Sequence, residues 1–390
     1  MLRQKRDIPQ ALPYPPRMAV TDLTLPLDAS TLRRLLAAVT QQLATALRQT
    51  AGRHDPQLME LLENLERTGV LRGLLVRAQV SVLARVWLLV PALRAELGPR
   101  LLATLAVEAA LAGKLEKPVE IHPQTLGLPL LGVQVPQVEA VLVDGLQIAG
   151  QRVHFAEIHG EERYFPLHPD LPHTRLTLLD ANPLPIFHDH PKRRGNTVTL
   201  DDRPLTEWLQ PLQWSLTQIA QHLPGIFAEM RLFLGAIVPV GFLQEDHQSA
   251  SYPHALGTLY LTLHPRPMML LEALIHEFQH NKLHALLQLG PLFHGDEDLR
   301  VASPVRPDPR PLRGVLLALH AFLPVAALYQ KLVEVQDPVT KEHWFMPRYA
   351  QIRQQNHEAW LTVRQHAQWT PLAAGLATEL ARLDQQLAEP

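Results

Sequence analysis

LIHEFQHNKLHALL, residues 274–287, contains two histidines and a glutamate at the spacing of a metal-binding helix. The surrounding residues 268–289 contain no proline or glycine and end at a glycine-proline pair, which predicts one uninterrupted helix. On a helix, His276 and His280 lie one turn apart on the same face, so that their imidazoles can share a divalent ion. This stretch therefore predicts a metal-binding helix with Glu277 beside the two ligands.

The alternative is a pair of ordinary core or surface histidines, since such a pattern also arises by chance in a chain with 20 histidines. The neighbours are largely apolar, among them Leu274 and Phe278. Polar side chains on so apolar a helix need partners, which favours the metal. His284 continues the series, but it would lie about 12 Å from His276 along a helix, too far to share one ion.

Composition limits both the ligands and the partners. The 390 residues contain 36 Lys and Arg, 38 Asp and Glu, and no cysteine. Balanced charge provides no overall field for nucleic acid or an anionic membrane, so neither is expected as a partner. The lack of cysteine excludes disulfides and thiolate ligands, which leaves histidine and carboxylates. We recognise no secretory signal, and the apolar stretch 70–93 contains three arginines, so a cytoplasmic location is expected.

The hydrophobic pattern predicts an α+β fold that is mainly helical with a small antiparallel sheet. Helical periodicity occurs at residues 30–48, 56–68, 70–97, 99–113 and 205–238. We interpret residues 1–118 as a helical N-terminal lobe. Short β-branched runs broken by glycine at 119–182 predict the sheet, and 257–263 predicts a further strand. Residues 119–390 are expected to form an α+β catalytic domain that contains the metal-binding helix.

The identity of the third ligand separates the enzyme classes that use a His-Glu-x-x-His helix. The metzincin pattern requires glycine and histidine where this chain has Leu283 and Leu286. A gluzincin needs a glutamate on a later helix, where Glu334 stands without the usual flanking residues. A zinc-dependent metallopeptidase of the zincin type, with Glu277 as general base, is therefore kept as the alternative function.

A proline- and arginine-rich segment precedes another predicted helix, residues 315–335. Arg306, Arg310 and Arg313 lie within eight residues, and a guanidinium binds a carboxylate through two hydrogen bonds, so an anion clamp is one interpretation. A rigid connector with solvated charges is the other. His320 on the predicted helix is the candidate third metal ligand, or a packed core histidine. Four residues of the preceding loop compete for that role: His294, Asp296, Glu297 and Asp298.

Three blocks of sequence together resemble a known family. They are HQSAS (247–251) with GTLYL (257–261), LEALIHEFQHNKL (271–283), and the segment 304–316 with its PVR, DPRPL and GVL motifs. Their order and spacing, over roughly residues 240–335, are similar to those of the 2-oxoglutarate-dependent, HExxH-type peptide β-hydroxylases that modify ribosomally made peptides.

This resemblance implies an Fe(II) oxygenase that uses O2 and 2-oxoglutarate to insert a hydroxyl at the β-carbon of a residue in a precursor peptide. His276 and His280 with one more ligand, for which His320 is the first candidate, would hold the iron and leave positions open for the cosubstrates. Arg310 first, and Arg306 second, would bind the distal carboxylate of 2-oxoglutarate. Glu277 would support a histidine or the bound cosubstrate.

Overall fold

The computed structural model describes residues 29–184, 197–295, 299–305 and 307–388, with 56% helix and about 17% strand. The predicted α+β fold, mainly helical, is confirmed. The helices are α1 (Ala29–His54), α2 (Pro56–Arg67), α3 (Leu71–Leu74), α4 (Ala78–Leu89), α5 (Arg94–Leu111), α6 (Leu205–His222), α7 (Pro224–Phe233), α8 (Pro267–Leu287), α9 (Leu312–Glu334), α10 (Phe345–His366) and α11 (Ala374–Ala388). The strands are β1 (Val119–Leu128), β2 (Val133–Val141), β3 (Gly145–Ile148), β4 (Gln151–His154), β5 (Glu161–Glu162), β6 (Tyr164–Pro166), β7 (Arg175–Thr177), β8 (Ala236–Phe242), β9 (Ser249–Ala250), β10 (Thr258–Leu263), β11 (Arg300–Val301) and β12 (Arg310–Pro311).

Two five-stranded sheets organise the described residues. The first is antiparallel, in the order β1-β2-β3-β4 with β5 beside β2, and it confirms the sheet predicted at 119–182. The second was not predicted as a sheet and has the order β6-β7-β8-β10-β9. In it, β8 is parallel to both β7 and β10, while β9 pairs antiparallel with β10 and forms one edge. The connection from β7 to β8 contains α6 and α7, as a parallel pair requires a long crossover.

The prediction of one helix over 205–238 is wrong at its C-terminal end. The chain breaks between α6 and α7 at Pro224, and α7 ends at Phe233. The residues that follow form β8, which is buried over most of its length. An apolar run buried on both faces has no period that separates strand from helix, which explains the error. The prediction of one helix over 70–97 also fails, because α3, α4 and the start of α5 divide that stretch.

Two large apolar cores hold these elements together. One surrounds α8 and α9 and includes the mixed sheet with α6, α7, α10 and α11. The other joins α2 to α5 with the antiparallel sheet, and therefore extends across residue 118. Helix α1 contributes to both, with Leu35 in the first and Leu47 in the second. The domain division at residue 118 stays a prediction.

Helix α9 is the one described helix that is long and apolar enough to cross a membrane, and 67% of its most apolar window is buried inside the protein. Core helices of soluble proteins pass the same test of length and composition. The burial of α9 is consistent with a soluble protein.

Polar contacts fix α8 against its neighbours at the level of the site. The Asn281 side chain accepts a hydrogen bond from the Gly257 N–H (2.9 Å) and donates one to the Thr258 carbonyl (3.2 Å). Gly257 has φ +83°, and a Cβ there would lie 2.4 Å from the Phe233 carbonyl oxygen, so only glycine fits. These bonds fix the position of α8 along its axis relative to β10. Because β9 pairs with β10, they also fix α8 relative to β9.

Candidate metal centre

The predicted pair of histidines and the glutamate between them form one cluster on α8. One ligand atom each of His276, Glu277 and His280 lies within 4.8 Å of the others, and the two imidazole centroids are 4.3 Å apart. Atoms that bind one ion at about 2.1 Å are about 3 to 4 Å apart, so small side-chain movements would complete the geometry. Among the described residues, this is the one group of three or more His, Asp or Glu with such spacing.

Two serines, Ser249 on the edge strand β9 and Ser251 immediately after it, hold the Glu277 carboxylate. Ser249 Oγ donates to Oε1 (2.7 Å) and Ser251 Oγ donates to Oε2 (2.8 Å). The two serines are two residues apart, and both side chains reach the same carboxylate. Glu277 is only 3% exposed, and the two bonds compensate for the water it loses. The carboxylate is thereby fixed in orientation beside the histidines.

A cavity of about 650 Å³ opens over this cluster. Its walls come from α8, α9, α10, β9 and the segment that contains β12, with apolar surface from Tyr252, Leu317 and Phe322. The polar side chains that line it, besides the cluster and its serines, are His247, Glu272, His284, Ser303, Arg310 and Arg348. The volume lies within the range of small-molecule sites in proteins.

Two further imidazoles in the cavity wall are neutral at pH 7. Burial, with His264 nearby, lowers the pKa of His247 to about 4, and its Nε2 makes no hydrogen bond within the described chain. Burial also lowers the pKa of His284 to about 3, assisted by His280 and Arg313. The His280 and His284 rings are 6.3 Å apart, and His284 stands outside the close cluster, as its spacing predicted.

His320 lies outside both the cluster on α8 and the cavity wall. It is fully buried in α9, does not line the cavity and does not belong to the cluster on α8. Burial lowers its pKa well below the usual value, and the Lys282 ammonium and His280 act in the same direction. The arrangement does not bring His320 together with the pair, and its role as a ligand stays a prediction.

The competing ligands are also apart from the cluster where the structure describes them. His294 is exposed and does not line the cavity. Glu334, the glutamate that a gluzincin would use, is half exposed at the end of α9 and pairs with Lys331. Asp296, Glu297 and Asp298 lie outside the described residues.

One of the predicted clamp arginines lines the cavity. Arg310 is on β12, and its guanidinium forms an ion pair with Asp308 (3.2 Å) in which both side chains are about half exposed, at 42% and 55%. An exposed pair of this kind contributes little stability, so a ligand carboxylate can replace Asp308. Arg306 lies outside the described residues, and Arg313 is not part of the cavity wall.

A second arginine in the cavity wall, Arg348, was not predicted from the sequence. Arg348 on α10 donates to Glu272 on α8 (2.7 Å), and the Tyr329 hydroxyl of α9 donates to the other oxygen of that carboxylate. Burial opposes the charge on Arg348, but the Glu272 carboxylate outweighs it and raises the pKa of the guanidinium. No motif marks these residues, which are separated by up to 76 positions. They join three helices beneath the cavity.

The arrangement combines two partly buried imidazoles, a buried carboxylate held by two serines, an accessible cavity and a guanidinium at its wall. Two imidazoles and one carboxylate leave several positions of an octahedral ion open, the pattern typical of non-haem Fe(II) oxygenases. No protein-family model and no curated protein sequence matches the chain. The chemistry of the donors and of the cavity is therefore the basis for assigning a function.

Proposed function

We propose that this protein is an Fe(II)- and 2-oxoglutarate-dependent oxygenase that hydroxylates the β-carbon of a residue in a ribosomally made precursor peptide, in the cytoplasm. The observation that carries the proposal is the cluster of His276, Glu277 and His280 at the base of a cavity with Arg310 in its wall. Two histidines and one carboxylate are the donor set that such iron enzymes use. The iron, with O2 and 2-oxoglutarate, would supply the oxidising species for the C–H bond.

Each residue then has a defined task. His276 and His280 would bind the ion, and Glu277, held by its two serines, would be the third protein donor in this arrangement. His320, the third ligand predicted from the sequence, is the alternative to Glu277 for that position. Arg310 would bind the distal carboxylate of 2-oxoglutarate, which must leave water and therefore needs a cation. A cavity of about 650 Å³ has room for this diacid and for a side chain of the peptide.

The alternative is a zinc-dependent peptidase, favoured by the His-Glu-x-x-His pattern itself. Its general base would be Glu277, which must accept a proton from a metal-bound water. Here both oxygens of Glu277 already accept hydrogen bonds from serines, which weakens that role. The described residues also place no second glutamate or third histidine in the cluster, and the peptidase reaction has no evident use for Arg310.

The deciding experiment is to load the protein with Fe(II) without oxygen, and then to add 2-oxoglutarate and O2. We expect one iron per chain and formation of succinate. His276→Ala should lose both, because the chain has no cysteine that could replace the ligand. His294→Ala changes an exposed histidine away from the cavity and should retain both. Stoichiometric metal in the His276 variant would show the metal assignment to be wrong. Zinc-dependent cleavage of peptides without succinate would establish the alternative.

A further inference from the structure

A second cavity, of about 310 Å³, lies where the two apolar cores meet. Its walls come from the turn between α3 and α4, from α5, from the turn between β1 and β2, and from the first residues of β8 and β10. It has no lining residue in common with the cavity over His276, Glu277 and His280. Junctions between cores are frequent places for ligand sites.

Two buried polar side chains line this cavity without a hydrogen bond in the described part of the chain. Glu108 on α5 is 6% exposed and Tyr164 on β6 is 5% exposed. The Tyr164 hydroxyl lies against Gly127, where a Cβ would be only 1.8 Å away, so the glycine makes room for it. Buried polar groups without a partner cost free energy, and a ligand that bonds to them removes that cost.

The other polar groups of the cavity are mostly donors. Helix α4 begins there, with Ala78 and Gln79 in the wall and no side chain capping its N–H groups. Arg77, immediately before α4, and Arg231 on α7 also line the cavity and form no ion pair with described residues. Free N–H groups at a helix start and nearby guanidinium groups both favour an anion.

The two carboxyl groups of the wall limit the charge of that anion. Asp180 already accepts bonds from the Tyr260 hydroxyl (3.0 Å) and the Asn182 N–H (2.9 Å). Burial raises the pKa of Glu108, and the nearby Arg77 acts in the opposite direction. A singly charged carboxylate meets less repulsion here than a phosphate dianion.

We propose that this cavity binds a molecule with one carboxylate on an apolar body. The carboxylate would contact Arg77 and the start of α4, with Glu108 and Tyr164 as additional hydrogen-bonding groups. The apolar body would lie against Leu130, Leu179 and Leu232. Both a free organic acid and the C-terminal end of an apolar peptide present this chemistry. The inference does not depend on the metal or on the proposed oxygenase activity.

Calorimetric titration of the full-length, metal-free protein tests the site with 4-phenylbutyrate and with acetyl-Ala-Ala-Phe, which distinguish the two sources. We expect measurable binding of at least one acid and at least about tenfold weaker binding of its amide, because the amide lacks the charge. Arg77→Gln should weaken binding by about tenfold or more. Arg72→Gln is the matched control, since Arg72 is exposed on α3 and does not line the cavity.

A second variant keeps the proposal testable if Arg77→Gln misfolds. Leu130→Trp, in the turn between β1 and β2, should fill the cavity and abolish binding while circular dichroism stays that of the wild type. His276→Ala should bind the acid as the wild type does, so the outcome here is separate from that of the metal test. Equal affinity for acid and amide, equal losses in both arginine variants, or no binding of either acid at millimolar concentration would overturn the proposal.

Discussion

Glu277 is the residue whose contacts separate the two candidate chemistries. A general base needs a carboxylate that can take a proton from water, whereas a ligand or supporting group needs one that is fixed and negatively charged. Ser249 and Ser251 each donate to one of its oxygens, and the side chain is nearly inaccessible. These contacts fix the orientation of the carboxylate, and they favour the second role.

Removing both serine hydroxyls should therefore weaken metal binding. We expect Ser249→Ala with Ser251→Ala to lower iron affinity or succinate formation by about 10- to 100-fold, the effect typical of groups that orient metal ligands. Ser303→Ala is the matched control, because Ser303 lines the same cavity without a contact to Glu277. Iron titration followed by absorbance measures the effect. Unchanged affinity in the double variant would mean that Glu277 does not act at the metal.

Arg310→Lys should selectively weaken binding of 2-oxoglutarate. Lysine keeps the charge but loses the planar pair of donors, which should cost about 1 to 3 kcal/mol for one charge-assisted contact. Iron affinity should stay the same, and Arg300→Lys, which changes an arginine outside the cavity, should have no effect. Titration of 2-oxoglutarate into the iron-loaded protein measures the difference. Equal affinity in the wild type and the Arg310 variant would mean that another residue binds the distal carboxylate of 2-oxoglutarate. Arg348 would then be the next residue to test.

At the scale of the element, α8 is apolar enough to be a core helix but carries polar residues that require specific partners. Lys282 is fully buried and its Nζ forms an ion pair with Glu229 of α7 at 2.7 Å, with both side chains inaccessible to solvent. Asn281, one residue earlier, bonds to the start of β10. Polar contacts of side chains that do not line the cavity therefore fix the rotation of the helix and its position along its axis.

Lys282→Met should destabilise the protein strongly, because it leaves the Glu229 carboxylate buried without this partner. Loss of one member of a buried pair costs about 3 to 5 kcal/mol, and the free energy of unfolding in urea measures it. Lys331→Met removes the exposed pair with Glu334 and should cost less than about 1 kcal/mol. If the two variants are equally stable, the buried pair is not what holds α7 to α8. Adding Glu229→Leu to Lys282→Met should recover much of the loss.

At the scale of the whole molecule, the two cores meet through a few polar contacts. Arg85 of α4 donates to the Gln288 side chain at the end of α8 (3.1 Å), and Gln288 in turn donates to the Pro253 carbonyl (2.8 Å). His254 is buried beside this network, and burial together with Arg85 lowers its pKa to about 4. The junction between the two cores therefore favours the neutral form of the His254 imidazole.

The low pKa of His254 predicts that acid destabilises the fold. The unfolded chain binds a proton near pH 6.5 but the folded protein only near pH 4, so stability falls as pH decreases across this window. The full shift corresponds to about 3 kcal/mol. His254→Asn should reduce the dependence of the unfolding free energy on pH, measured in urea without metal, and the other buried histidines of low pKa should account for the remainder. His366→Asn, at an exposed position, should leave the dependence unchanged. A wild-type stability that is constant between pH 6.5 and 4 would contradict this prediction.

Much of the fold and part of the site follow from local spacing. The positions of α8 and α9, the strand β10 and the α+β class were all predictable, because hydrophobic period and helix-breaking residues act over a few neighbours. The proximity of His276 to His280 was predictable for the same reason, since a helix places residues four apart on one face. Strand β8 escaped prediction because its burial on both faces removes the period.

Packing alone decided the remaining features of the site. Ser251 and Ser249 reach Glu277 across 26 and 28 residues, and Arg348 reaches Glu272 across 76. His320, the candidate third ligand, is fully buried in α9 and outside the cluster on α8, and its role as a ligand stays a prediction. Such contacts depend on the order of strands in the mixed sheet and on the rotation of helices against it. Those are set by the free energy of burying whole faces, and no spacing along the chain encodes them.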